Sequence, residues 1–257
     1  MGLLPGIGAS LGYQVVRTRG DALQTAFAGQ KTVEREIAHF RDVAARAKSA
    51  DDILKDYRAL KFLLTSFQME SEIDKRAILR KLLTEDPQDS KSLANRFVDP
   101  RYRQLAQAVA AWDPPALADA KTVDRIVQGY IANAFEKSAG EDNPGLREAL
   151  YFRRQIGSIR SVTELMSDKA LTYVVRVGLG LPESFGLLDF EQQRRILEQR
   201  LDLHQFATAA GIEAFTRRFL AMNDMNSGGS AASDPRLVLL NGGGGVSGLI
   251  HGDFLGS

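Results

Sequence analysis

Apolar residues recur along this chain at helical rather than strand spacing. Ile53, Leu54, Leu60, Leu63, Leu64 and Phe67 follow at intervals that put them on one side of a helix. Leu165, Met166, Leu171, Val174, Val175 and Leu179 do the same further on. Read in this way, the pattern predicts helices over about 18–30, 32–48, 50–67, 71–84, 90–111, 119–138, 144–157, 161–180, 189–201 and 208–222. Breaks fall at Glu85-Asp86-Pro87, Trp112-Asp113-Pro114-Pro115 and Asn143-Pro144-Gly145, where turn chemistry interrupts the periodicity. Strand-like alternation is scarce, so the predicted fold class is all-α.

The pattern also repeats. Phe40-Arg41, Ser49, Asp52, Ile53, Leu54 and Asp56 return as Phe152-Arg153, Ser161, Glu164, Leu165, Met166 and Asp168, each pair 112 positions apart. Ser49 with Asp52, and Ser161 with Glu164, fit a capping box, in which the hydroxyl and the carboxylate satisfy amides at the start of a helix. These four residues are the predicted helix N-caps. The apolar series beyond them coincide once one residue is dropped after Asp168. Recurrence at this length points to duplicated helical bundles packed on one another.

Domain boundaries follow from the same marks: an N-terminal segment 1–31, a helical repeat 32–112, a connecting helix region 113–143 and a second repeat 144–222. The connecting helix carries Val123, Ile126, Val127, Tyr130, Ile131 and Phe135, and is expected to join the halves and pack between them. Residues 223–257 hold only four charged residues and nine of the 23 glycines. Asn226-Ser227-Gly228-Gly229-Ser230 reads as a flexible linker, because glycine-rich backbone loses much entropy on ordering. Within this glycine-rich tail, Leu237-Val238-Leu239-Leu240 is the strand-like patch and the candidate partner-binding segment.

Composition narrows the function classes. With 44% hydrophobic residues over 257 positions, the chain can bury a sizeable core. Its 33 basic and 32 acidic residues nearly cancel, so net charge gives no argument for a nucleic-acid or membrane partner. It contains no cysteine, which removes disulfides, thiolate catalysis and cysteine-based zinc sites. Arg176 interrupts the best apolar run, Leu171 to Leu181, well short of the roughly 18 residues a membrane span needs. The first basic residue, Arg17, follows the apolar N-terminal stretch instead of preceding it, so no cleaved signal is predicted. Gly6 stands where a myristoylation motif wants Ser or Thr.

Candidate chemistry is sparse. Gly243 to Gly248 satisfies G-x-G-x-x-G, yet too little chain follows to supply the helix and ribose-binding acid of a dinucleotide site. His39, His204 and His251 lack metal-ligand spacing. Arg101-Tyr102-Arg103 and Tyr151-Phe152-Arg153-Arg154 combine bases with aromatic rings, as nucleic-acid platforms do. On a helix, Tyr151 and Phe152 diverge by about 100°, so one is expected in the core and the arginines beside nearby acids. No catalytic residue, cofactor site or metal site is predicted.

The runs Glu36-Ile37-Ala38-His39-Phe40-Arg41, Asp51 to Leu60, Arg80-Lys81-Leu82-Leu83 and Leu93 to Arg103 resemble an alphaproteobacterial family built on a domain of unknown function. So do Leu146 to Arg154, Asp168-Lys169-Ala170-Leu171, Gly178 to Ser184 and Leu201-Asp202-Leu203. Genes of that family often lie in flagellar clusters, and some members are labelled flagellar basal-body rod proteins. The resemblance covers roughly residues 34–222 and implies an all-helical fold in a flagellar setting. It brings no catalytic or binding residues. The expectation is a non-enzymatic structural or assembly protein of the bacterial flagellum, located there or in the cytoplasm, binding other proteins through helical faces. A cytoplasmic chaperone or regulator of flagellar assembly is the alternative. An enzyme would require a pocket of converging polar groups with shifted proton affinities.

Overall fold

The computed structural model describes residues 8–231 apart from 142 and 144, with side chains to residue 226. Among these residues it is helical and contains no strand. The first helices are α1 (Ala9–Ala28), α2 (Lys31–Arg46), α3 (Ala50–Lys55) and α4 (Tyr57–Ser66). Three short helices follow, α5 (Arg76–Leu82), α6 (Leu93–Arg96) and α7 (Pro100–Val109), and then the long α8 (Ala120–Gly140). The remainder is α9 (Leu146–Gln155), α10 (Val162–Ser167), α11 (Lys169–Gly178), α12 (Phe190–Arg200) and α13 (Ala209–Ala231).

Capping explains why the two long predicted helices at 50–67 and 161–180 are each broken in two. Asp56 leaves the helical region at φ −90°, ψ 101°, and its Oδ1 accepts from the Ala59 N–H at 2.9 Å. Asp168 does the same at φ −105°, ψ 111°, accepting from Ala170 and Leu171. An aspartate that satisfies the free amides of a new helix favours the break. The outcome is a six-residue helix, an aspartate and a ten-residue helix in each copy, at a constant offset of 112.

The one-residue drop after Asp168 is therefore absent. Leu171 stands opposite Ala59, Val174 opposite Phe62 and Val175 opposite Leu63, and all six are buried. Both ten-residue helices also end alike. The Met69 N–H donates to Leu64 O and the Gln68 N–H to Thr65 O, as Leu181 donates to Arg176 O and Gly180 to Val177 O. This Schellman closure needs a left-handed residue, which is Gln68 (φ 54°) in one copy and Gly180 (φ 66°) in the other.

In packing terms α8 completes the first half, and α13 the second. α8 lies on α4 as α13 lies on α11. Val123, Ile126, Tyr130 and Ile131 match Ile212, Phe215, Phe219 and Leu220 at an offset of 89. The offset shortens because the first half spends more chain, on α5 to α7, before its long helix. The triangle α2-α4-α8 is filled by Phe40, Phe62 and Tyr130 in a stack, with centroids 4.5 and 3.8 Å apart. In the second half, Phe152 packs on Phe206 and Phe215, at 5.4 Å in each case. Each ring removed from water is worth about 1.5–3 kcal/mol. α8 also packs on α9, so one helix serves both halves.

Two expectations about the ends are corrected. The N-terminal helix begins at Ala9, well before residue 18, and packs on α8, α9 and α13. Its Tyr13 is 1% exposed and donates to Glu213 at 2.6 Å. α13 runs through Asn226-Ser227-Gly228-Gly229-Ser230 to Ala231, where a flexible linker was expected. Extending a helix that is already nucleated adds one hydrogen bond per residue, which offsets part of the glycine cost. Leu237 to Leu240 and the Gly243 to Gly248 motif lie outside the described residues.

Candidate functional site

The four predicted N-caps sit at equivalent places. The Asp52 carboxylate accepts from the Ser49 N–H (3.0 Å), the Ser49 hydroxyl (3.0 Å) and the Lys48 N–H (2.9 Å), which hold it below the usual carboxylate range. The Ser161 hydroxyl accepts from the Glu164 N–H at 3.1 Å, and Glu164 accepts from the Arg160 N–H at 2.7 Å. These contacts start helices on the surface.

The chemistry that joins the halves lies elsewhere, at helix ends the sequence did not single out. Asp99 caps α7 through the Arg101 N–H at 2.9 Å and grips the same residue's guanidinium at 2.7 Å. Arg101 also donates to the carbonyl of left-handed Gln68 at 3.0 Å, and its Nη1 lies 3.7 Å from Asp168 of the second half. Burial disfavours the Arg101 charge, but Asp99 and Asp168 outweigh it and raise its pKa. Asp168 is 4% exposed and accepts from the Tyr151 hydroxyl, whose own pKa is pushed up by burial and by that carboxylate. In the first half the equivalent pair is His39 and Asp56, with Nε2 3.0 Å from each carboxylate oxygen.

A second knot closes the far end of α4. The Asn133 amide donates to the carbonyls of Thr65 and Ser66, both at 2.9 Å, adding to the Gln68 N–H already on Thr65 O at the helix end. A Cβ at Gly129 would lie 2.9 Å from Ser66 O, so glycine allows α8 to approach. Arg154 of α9 donates to Asn133 Oδ1 and holds Glu136 bidentately at 2.7 and 2.9 Å. Glu136 is 4% exposed; burial raises its pKa, and Arg154 opposes that shift.

Two concavities flank these knots. A seam cleft of about 600 Å³ is lined by Arg101, Asp99 and Asp168, with Glu70, Lys137, Arg147 and Lys169 among its other lining residues. A groove of about 730 Å³ runs between α1 and α9 over α8, lined by Arg17, Arg19, Phe135, Leu150, Arg153 and Arg154 among others. Neither offers a base-stacking platform from Tyr151-Phe152. Both rings are in the core at 2% and 0% exposure, where one was expected outside. Arg154 does find an acid, but a buried one on α8. The seam cleft is polar and includes Tyr102, whose proton affinity is shifted upward by burial and by Glu72, but Asp99 and Asp168 are occupied by amides and guanidiniums. Among the described residues no group of three or more His, Asp or Glu converges as metal ligands, and no helix is long and apolar enough to cross a membrane.

Sequence reasoning missed Asp99, Asn133 and Glu136, and named Arg101 only within a basic-aromatic cluster whose arginines were expected beside acids, as Arg101 is beside Asp99. The signal for Asp168 was present: Tyr151 precedes it by the same 17 positions as His39 precedes Asp56.

The fold has a solved counterpart. A crystal structure of an Agrobacterium tumefaciens protein, determined as a structural-genomics target, superimposes with a TM-score of 0.74 at 25% identity, covering 88% of this chain and 99% of that one. No curated protein matches the chain. The family model described as "Protein of unknown function (DUF1217)" matches residues 66–212, from the end of α4 into α13, and the chain belongs to that family.

Proposed function

We propose that this protein is a non-enzymatic structural or assembly component associated with the bacterial flagellum, acting through helical protein–protein interfaces. The observation that carries the reading is how the polar groups between the halves are used. Asp99, Asp168, Asn133 and Glu136 each hold a helix end or a guanidinium, so the interior polar chemistry serves to lock two bundles together. Large apolar side chains also remain on the surface, with Leu187 87% and Phe190 47% exposed where α12 begins. Such residues suit contacts with other proteins. The flagellar setting rests on the family resemblance in the runs around Phe40, Asp56, Arg101 and Phe152.

Deleting the gene in a motile host tests this directly. Swimming in soft agar is expected to fail while growth in liquid culture is unchanged, and normal swimming would refute the flagellar assignment. Fractionation then separates the two roles: a structural subunit co-purifies with basal bodies, whereas an assembly chaperone stays in the soluble fraction.

A further inference from the structure

The duplication identifies an arginine that has lost its partner. Arg41 of α2 pairs with Asp124 of α8 at 2.7 Å. Its equivalent at the 112 offset is Arg153, and the equivalent of Asp124 at the 89 offset is Glu213 of α13. Glu213 is already engaged: it accepts from the Tyr13 hydroxyl at 2.6 Å and from Arg217 at 2.8 Å, and Arg17 lies 3.6 Å away. Glu213 is thus held by Tyr13 and Arg17 of α1 and by Arg217 of its own helix, and Arg153 does not pair with it as Arg41 pairs with Asp124.

The side chain of Arg153 makes no ion pair or hydrogen bond among the described residues, and neither does that of Arg19. Both line the α1–α9 groove, on opposite walls, with Val16, Phe135 and Leu150 as its apolar lining and Asp21 and Glu136 as its acids. Arg154 is spent on Glu136, and Arg17 lies beside Glu213. Two unpaired guanidiniums therefore face a concavity of about 730 Å³, far larger than one carboxylate or phosphate requires. Guanidinium forks match carboxylates bidentately and are weakly hydrated, which suits them to protein interfaces better than the lysines of the seam cleft. The buried rings of Tyr151 and Phe152 leave no platform for bases, which favours a peptide over a nucleic acid.

We propose that the α1–α9 groove is a docking site for an acidic segment of a partner protein, with carboxylates of the partner seated on Arg19 and Arg153. This deepens the reading of a protein that works by binding others. Its test uses the purified chain, so it can fail whatever the motility phenotype.

The probe is a fluorescein-labelled ten-residue glutamate peptide, titrated by anisotropy at low salt against the full-length protein. Saturable one-to-one binding is expected, weakened at least about tenfold in the R19E/R153E double variant and by raised salt. The control R195E/R200E carries the same charge change on α12, outside the groove, and is expected to bind within about twofold of the parent. Unchanged helical circular dichroism and thermal unfolding in both variants keep the comparison interpretable, since Arg19 and Arg153 are exposed. Equal weakening by the two variants, or no saturable binding, would overturn the proposal. Inorganic phosphate displacing the peptide at comparable concentration would reduce the site to a simple anion site. Tighter groove-dependent binding of a uridine decanucleotide would replace the peptide with RNA.

Discussion

The two halves share an apolar scaffold and differ in their polar pairings. Phe40 and Phe152, Ile53 and Leu165, and Leu63 and Val175 are buried at matched positions. Around them, His39 on Asp56 becomes Tyr151 on Asp168, Gln68 becomes Gly180, and the exposed Asp42 becomes Arg154, whose guanidinium pairs with the buried Glu136. The first half keeps its polar pairs near solvent, whereas the second buries them where Arg101 and Asn133 arrive from the first. Matched positions tolerate such divergence because apolar packing depends on volume and spacing, while a polar side chain must satisfy whatever neighbour meets it.

The comparison breaks most visibly at Arg154. Arg154→Met leaves the Glu136 carboxylate buried without its cation and is expected to cost about 3 kcal/mol at neutral pH by urea denaturation. Substituting Asp42, its exposed counterpart paired with Arg46, is expected to change little. The pH dependence has a definite sign. Glu136 has a raised folded pKa, so stability is favoured below the ordinary glutamate range, where the side chain is protonated in both states. That stability is lost as pH rises through the raised value. Without Arg154 the folded pKa rises further, so the deficit of the variant relative to the parent shrinks when measured near pH 5 instead of pH 7. An equal deficit at both values would mean that Glu136 does not carry the penalty.

A smaller difference is expected between the paired aspartates. Asp168→Asn disturbs a carboxylate that accepts from Tyr151 and two helix amides and lies near Arg101, and should cost about 2–3 kcal/mol. Asp56→Asn, in its more exposed setting with His39 and one amide, should cost about 1 kcal/mol. Equal losses in thermal unfolding would show that the contact across the halves adds nothing.

The finest test is at the helix ends. Gly180→Ala places a Cβ at φ 66° and is expected to destabilise by about 1 kcal/mol, with the Met222 methyl 3.4 Å away able to shift. Gln68→Gly relieves a left-handed glutamine and is expected to stabilise by up to about 1 kcal/mol, since the Arg101 contact uses only the backbone carbonyl. The opposite signs are the prediction, and calorimetry on both variants reads them.

Much of this molecule was legible in one dimension. Helical spacing of apolar residues and the Ser49 and Ser161 caps are local properties, set within a turn or two of backbone, and they suffice for an all-α chain. The breaks at Asp56 and Asp168 were also written locally, as aspartates able to start a new helix, but apolar periodicity running through them concealed the break. What only the tertiary structure decided is which side chains meet across distance. Arg101 on Asp168, Asn133 on the end of α4 and Tyr13 on Glu213 join residues dozens to hundreds of positions apart. Charge and hydrogen-bond complementarity act through space and leave no periodic trace along the chain, so the polar locks between the halves, and the unpaired Arg153, emerged only once the helices were packed.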